Sequence, residues 1–460
     1  MARSKGVVMT EGPFLKKIIL FSIPVLMTAL LQQLYHSLDL MVVGKYASET
    51  ALAAVGSVGS LNSLVTAVFM GLSVGAGVVA AQKIGAGQKE QVEKVVHSSA
   101  LLALILGSAI GLIGILLSRI LLVMTDAPAE VLDQATVYMQ LIFLGTPATM
   151  LYNYLASILR SAGDSRRPLY FLLISGAVKV LMNFLFVRGF HWDVAGVALA
   201  TALTYFLSAA FILVYMAKQE GYLHFSFRRL AFDGAIVKQI LVIGIPSGIQ
   251  SSLFSLSNVV IQSSVNSFGE FAIAGSSVAD NLGTYVYYGS NSLYQAVLTF
   301  VGQNMGAKRY TNIKRVVLWG LLLAVMVNFV IGGVLLLFRS FFVGLLIEDT
   351  ADVRDFAYQR MFLELPLYFL CGIMEVFSGA LRGMGKSVTN TVVSLIGSCA
   401  FRVLWVESIF SFVERNVGWV FISKPISWLL VAIFNGLFFM LYYRKCVREQ
   451  ENQEYERSSC

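Results

Sequence analysis

What most constrains this chain is a succession of apolar stretches, each near the roughly 20 residues that an α-helix needs to cross bilayer hydrocarbon. Read against charged, Gly and Pro breaks, twelve such runs fall near residues 18–43, 52–81, 95–118, 134–158, 169–187, 194–217, 239–265, 272–301, 316–338, 356–380, 389–412 and 419–441. In hydrocarbon every backbone N–H and C=O must be bonded within its own segment, so runs of this length commit the chain to helices. With 57% hydrophobic and 13% charged residues in 460 positions, little is left over for a soluble catalytic domain. The first run is too long, and too polar in its second half (His36, Asp39), for a cleaved signal, so it is read as a crossing. Cys371, Cys399, Cys446 and Cys460 form no CxxC and no metal spacing, which argues against disulfides and structural zinc.

Basic residues set the orientation. With the N-terminus in the cytoplasm, 24 of the 34 Lys and Arg fall on cytoplasmic segments and eight on outer ones, while Lys179 and Arg402 stay inside runs. This bias places both termini inside, as an even number of crossings requires. The net charge of +8 is therefore a topology signal, scattered over short loops, and not a nucleic-acid surface. The expected organisation is a cytoplasmic N-terminus over 1–13, a first lobe of six helices over 14–217 and a cytoplasmic linker over 218–238. A second lobe over 239–441 and a cytoplasmic tail over 442–460 complete it. The linker, basic and amphipathic, is expected to lie on the anionic inner leaflet, and the charged tail to be disordered.

The two lobes carry the same punctuation. Ile23-Pro24 returns as Ile245-Pro246, Gln82 as Gln303, Leu144 to Pro147 as Leu363 to Pro366, and Leu159-Arg160 to Gly163 as Leu381-Arg382 to Gly385. These matches keep one order and offsets of 219 to 222 residues, the signature of an internal repeat. Six crossings per repeat put both halves in the membrane with the same orientation, about an axis along its normal. Such a pair encloses a cleft and suits alternating access. The repeated prolines lie within runs, where each removes a helix hydrogen bond and favours a bend.

An ionisable group inside the membrane costs about 2.5 to 3.5 kcal/mol on insertion scales, so each one is a functional candidate. Gln32, His36 and Asp39 are spaced to share one face of the first helix. Low dielectric disfavours a charged carboxylate, so Asp39 is the first candidate to exchange a proton, with His36 able to share it. Lys179, central in the fifth run with Asn183 one turn on, needs a buried partner, and Asp39 is the obvious one. Arg402 occupies the repeat-equivalent place and is expected to pair with Glu375. A packing salt bridge explains either pair equally well, because a permanently paired charge drives no cycle. Lysine can lose its proton when buried and arginine cannot, which favours the first lobe for coupling and the second for architecture. Gln32, Tyr35, Asn153, Gln250, Asn258, Asp280, Tyr285, Tyr288 and Asn291, with Phe and Met nearby, are the candidate lining of a mixed cavity for amphiphilic molecules. No HExxH, GxSxG or paired-Asp set suggests an enzyme.

An early IP, then LYHSLDLMVVGKY, LAAVG, AAQKIGAGQ, LRSAGDSRRP and VAGVALAT, with the later copies GQNMGAKR and LRGMGKS, resemble the multidrug and toxic compound extrusion (MATE) transporters over about residues 12–441. The resemblance implies an all-α membrane protein of twelve transmembrane helices, in two pseudo-symmetric six-helix bundles arranged as an inverted V around a central cleft. It implies export of organic cations and other drugs in exchange for H⁺ or Na⁺, with no cofactor beyond that ion. The implied setting is a monomer in a bacterial plasma membrane, whose partners are small organic molecules and the bilayer. Asp39 matches the family's first-helix carboxylate. The fifth helix departs from the family pattern, having Lys179 and Asn183 where many relatives read Asn and Asp. An ammonium leaves no comfortable room for Na⁺, so H⁺ coupling is the expectation here, with the Lys179 ammonium in the cation's place. Phe254 stands where some relatives carry a seventh-helix acid, and Glu375 can serve instead. A lipid or lipid-linked flippase on the same scaffold is the alternative reading.

Overall fold

The computed structural model describes residues 7–125, 128–346, 351–410 and 416–459, among which there are helices and no strands. The first six residues, positions 411–412 of the expected eleventh run and Cys460 lie outside them. The first repeat forms α1 (Phe14–Tyr46), α2 (Glu49–Gly85), α3 (Lys89–Met124), α4 (Leu132–Leu144), α5 (Thr146–Ser161), α6 (Arg166–Asn183) with a π-helical continuation over Phe184–Gly189, and α7 (Asp193–Ala217). The second forms α8 (Gly234–Asn266), α9 (Glu270–Gly306), α10 (Tyr310–Leu337), the short α11 (Arg339–Gly344), α12 (Ala351–Glu364) and α13 (Tyr368–Gly383). It closes with α14 (Ser387–Ser394), α15 (Phe401–Trp405) and α16 (Val417–Ser459), with π-helical turns over Leu395–Ala400 and Val406–Phe410 on either side of α15.

Each of the twelve expected crossings lies on this succession of helices. Ten helical spans among the described residues are long and apolar enough to cross a membrane, and the pair α4 and α5, bent by 43°, makes an eleventh. The bend falls at Gly145, next to Pro147, whose ring cannot continue the hydrogen bonding of α4. Its repeat partner Pro366 sits in a 3₁₀ turn, Leu365–Leu367, between α12 and α13. The remaining expected run, 272–301, lies on α9, which is not apolar enough to count among these spans; much of its surface is buried, and Ser290 donates to Asn328 Oδ1 (3.0 Å).

The repeat extends to the backbone. In the loop after α2, Ala86 N–H donates to Gln82 O and Gln88 N–H to Lys83 O; after α9, Ala307 donates to Gln303 O and Arg309 to Asn304 O. Both loops need one left-handed residue, supplied by Gly87 (φ 70°) in the first and by Lys308 (φ 55°) in the second. Gly163 and Gly385, with φ of 88° and 79°, match in the same way after α5 and α13.

The chain divides into two compact units, Met1–Val7 with Met27–Gly248, and Val8–Leu26 with Ile249–Cys460. Thus the first turns of α1 cluster with the second repeat, anchored where Asn304 Nδ2 donates to Met9 O (2.9 Å) and Phe21 meets Phe300 edge-on. The first turns of α8 cluster with the first repeat. There, a Cβ added to Gly75 would overlap Ile240 O, so the small residue permits α2 and α8 to touch backbone to backbone. Pro24 and Pro246 stand two residues from the points where α1 and α8 pass from one unit to the other.

Of the two peripheral segments, the linker packs on the first repeat in addition to the expected lie along the inner leaflet, and the tail differs from expectation. The linker docks on α3: Phe225 is buried and stacks on His97, which accepts from Ser226 N–H at Nε2 (3.1 Å) and bonds Glu93 O through Nδ1 (2.8 Å). Arg229 pairs with Glu93 (2.6 Å) and Lys94 with Asp233 (3.4 Å), around a pocket of about 410 Å³. Asp233 starts α8 by accepting from Ile236 and Ala235 N–H, and the Ile236 bond together with Lys94 holds its carboxyl below the usual range. The charged tail continues α16 as helix to Ser459. Its Arg, Lys, Glu and Gln are strong helix formers, and Lys445 reaches Glu449 one turn on (3.9 Å).

Candidate functional site

In the first unit, Asp39 on α1 and Lys179 and Asn183 on α6 converge. Lys179 Nζ donates to Asp39 Oδ2 at 2.6 Å and Asn183 Nδ2 to Oδ1 at 2.7 Å. The residues are 5%, 7% and 1% exposed. One turn separates Lys179 from Asn183, so α6 presents both donors to one carboxylate. Asn183 Oδ1 is buried with no hydrogen-bond partner among the described residues, an idle acceptor beside the pair. Tyr138 on α4 and Tyr205 on α7 lie within electrostatic reach of Asp39. Tyr205 also lines a cavity of about 70 Å³ whose wall includes Asn62, Thr66, Thr146, Thr149 and Thr201, hydroxyls and an amide suited to water. The distance between residues 39 and 179 along the chain hid the tyrosines and threonines from sequence reasoning, although the charge at Lys179 pointed at its partner.

The remaining expected positions separate. His36 is exposed and makes no hydrogen bond among the described residues, so it does not share the proton of Asp39 in this arrangement. Gln32 is half-buried. Tyr35 turns into packing: its ring occupies the space above Gly176 and its hydroxyl donates to Leu173 O at 3.3 Å. Asn153 is buried and bonds Thr149 O of its own helix (2.9 Å). Tyr285 is exposed, and Tyr288 and Asn291 are half-buried.

The expected Glu375–Arg402 pair does not form. Arg402 Nε donates to Ser427 Oγ (2.9 Å), Nη1 reaches Asn258 Oδ1 (3.4 Å), and the guanidinium faces the Phe254 ring at 5.8 Å. Glu375 is half-buried, without a hydrogen bond among the described residues, and lies within reach of Arg382 instead. The π-helical turn before α15 adds a residue to the helix and rotates Arg402 away from the face that regular spacing assigns.

Two further networks were missed. Arg360, Glu364, Asp280 and Lys424 form one charged cluster in the second unit: Arg360 contacts Asp280 and Glu364 (2.9 Å to the latter), and Lys424 reaches Asp280 at 2.9 Å and Glu364 at 3.7 Å. Asp280 is thus held by two cations and is not a free cavity wall. Arg382, assigned to a cytoplasmic loop, is buried, bonding Tyr294 and Gln250 Oε1 (2.9 Å); Asn390 also donates to Gln250 (3.2 Å). Gln250 is therefore a buried acceptor in a polar network. The i, i+4 spacing of Arg360 and Glu364 within an apolar run was the signal available for the first of these.

A family model described as MatE matches residues 24–185 and 246–405, one segment in each repeat and each starting at the repeated proline. The chain belongs to the MatE family. This MatE protein is a multi-pass membrane transporter and not an enzyme. Among curated relatives, the probable multidrug resistance protein YoeA of Bacillus subtilis is 25% identical over 437 residues, 93% of each chain. The multidrug export protein MepA of Staphylococcus aureus is 25% identical over 406 residues, 86% of this chain and 88% of its own. Among solved structures, a MOP superfamily transporter from Pyrococcus furiosus matches with a TM-score of 0.90 at 21% identity, covering 97% of this chain and 99% of that one. A multidrug resistance MATE family transporter in an outward-facing conformation matches with a TM-score of 0.88 at 22% identity, covering 97% of this chain and all of that one. At these identities the structures establish the shared fold.

Proposed function

We propose that this MatE protein is a secondary antiporter of a bacterial plasma membrane that exports organic, cationic or amphiphilic compounds by alternating access, driven by protons entering through Asp39. The observation that carries the reading is the buried Lys179–Asp39 pair, 2.6 Å apart, with Asn183 on the other carboxylate oxygen. The pair is neutral as it stands. A proton reaching Asp39 cancels the carboxylate and leaves the Lys179 ammonium uncompensated in low dielectric, a state several kcal/mol less favourable unless packing changes or water enters. Protonation therefore forces the site to rearrange. Rotation of the Asn183 amide turns its idle Oδ1 toward Asp39, so the new O–H gains an acceptor at once. Loss of the proton to the other side restores the ion pair and the starting arrangement.

Each proton moving inward supplies about 2.3 kcal/mol per 100 mV, plus any pH gradient. Sodium is the weaker candidate, since the ammonium already fills the position beside Asp39 that a metal cation would take. The names of YoeA and MepA as multidrug resistance and export proteins support the cargo class. The test is efflux of a cationic dye from everted vesicles, energised in turn by a pH gradient and by a Na⁺ gradient at fixed pH. Efflux driven by the pH gradient and lost in Asp39→Asn supports the proposal; efflux driven by Na⁺ and undiminished in that variant overturns it.

A further inference from the structure

The second unit holds a buried cation that no carboxylate among the described residues contacts as an ion pair. Beside the cluster of Arg360 and Lys424 with Asp280 and Glu364 stands a third cation, Arg402. Arg360 and Lys424 hold both carboxylates within ion-pair distance. The groups that Arg402 contacts directly are neutral, namely Ser427, Asn258 and the Phe254 ring, with Glu364 within electrostatic reach but outside ion-pair distance. Among the described residues no carboxylate pairs with it, and Nη2 donates to nothing. The residue is 3% exposed and lies within the membrane span Ser387–Ser408. Arginine stays charged at any accessible pH, so this cation cannot escape its cost by losing a proton. An uncompensated charge in such a place is among the least favourable arrangements a fold can hold. The corresponding pair in the first unit, Asp39 with Lys179, is complete; the second differs in having the cation and no acid.

We infer that Arg402, with Asn258, is a subsite for an anionic group, a carboxylate or phosphate, on an amphiphilic ligand. The planar guanidinium offers parallel N–H donors that match a two-oxygen anion, and Nη1 and Nη2 are the edge not taken by Ser427. Asn258, which Nη1 reaches, is exposed on α8 and so open to an approaching ligand. The π-helical turns on both flanks of α15 set the direction of Arg402, and such turns recur at functional sites. This rests on the export reading and deepens it: the cargo that fits the second unit is zwitterionic, carrying an acid as well as its cationic or apolar body. The same anion could instead arrive as a lipid headgroup.

The test uses the full-length protein in nanodiscs of phosphatidylcholine, with rhodamine B, which bears a free carboxylate, and its ethyl ester, which does not. Fluorescence anisotropy gives the ratio of the two dissociation constants within one protein sample, so partial misfolding of a variant cancels. The wild type is expected to prefer the acid by about tenfold or more, the worth of one charge-assisted pair. Arg402→Gln is expected to bring the ratio close to one, and Arg402→Lys to retain part of it. A parallel series measures thermal stabilisation on adding phosphatidylglycerol. An Arg402-dependent dye ratio assigns the subsite to cargo, and Arg402-dependent stabilisation by phosphatidylglycerol without a dye ratio assigns it to a lipid headgroup. A dye ratio and a lipid stabilisation both unchanged in Arg402→Gln overturn the inference. Failure of vesicles to export the ester, with either Arg402-dependent signal present, overturns the export reading and leaves the subsite standing.

Discussion

Replacing Asp39 by Asn keeps the shape of the side chain and removes its charge, so it isolates what the buried pair contributes. Lys179 Nζ, 2.6 Å from Oδ2 in the native protein, would then face a neutral amide while remaining enclosed, since the Lys179 and Asp39 side chains are only 9% and 7% exposed. Removing one partner of a buried ion pair costs about 3–5 kcal/mol, because the other charge is left stranded. Removing both, with Lys179→Met added to Asp39→Asn, eliminates the buried charges, and such replacements are about neutral to 4 kcal/mol stabilising. A double-mutant cycle followed by unfolding in mixed micelles should therefore show each single variant destabilised and the double variant no more than about 1 kcal/mol less stable than the wild type, a coupling of about 5 kcal/mol or more. Transport should not follow stability: all three variants should be inactive in efflux driven by a pH gradient. Single effects that simply add within about 0.5 kcal/mol would refute the reasoning, since independent sites behave that way.

Arg360→Gln should destabilise the second unit by about 3 kcal/mol, because it leaves Glu364 and Asp280 short of a counter-ion, and adding Glu364→Gln should recover much of the loss in the same unfolding assay. Gly75→Ala should lower thermal stability by about 1–3 kcal/mol, since a Cβ there overlaps Ile240 O and α2 must shift from α8. His97→Ala should undock the linker by removing the Phe225 stack and the Ser226 acceptor, and limited proteolysis between 218 and 233 should quicken without loss of the helical core. Linker docking should also weaken in acid: the Asp233 carboxyl lies below its ordinary 3.8, so its stabilisation is complete above that pH and is lost as pH falls through the lowered value. Hydrogen exchange at the start of α8 reads this directly.

The helical architecture and the duplicated halves were legible because hydrophobic run length and punctuation are local properties of the chain. The Asp39–Lys179 contact was legible for a different reason: two rare charges in a mostly apolar sequence have few possible partners. Where several charges competed, that reasoning failed. Arg360, Glu364, Asp280 and Lys424 come from three helices, and sequence order does not say which of the acids in the second half meets which base. Glu375 and Arg402 were separated by a π-helical turn that regular 3.6-residue spacing does not anticipate. Arg382 looked like a loop charge because it falls after the apolar run and just before Gly383 and Gly385, yet its long side chain folds back to Tyr294 and Gln250. The tail was read as disordered from its charge, while its composition, rich in good helix formers, argued equally for extending α16.

The central claim is that protonation of Asp39 is coupled to the binding and export of cargo. Isothermal titration of the purified protein with tetraphenylphosphonium, repeated in buffers of different ionisation enthalpy, counts protons released per cation bound. In buffers acid enough to protonate Asp39 the account predicts release approaching one proton in the wild type and none in Asp39→Asn, and no release where the Asp39–Lys179 ion pair is already formed; binding of the cation with no proton release at any pH, or with the same release in that variant, would contradict it.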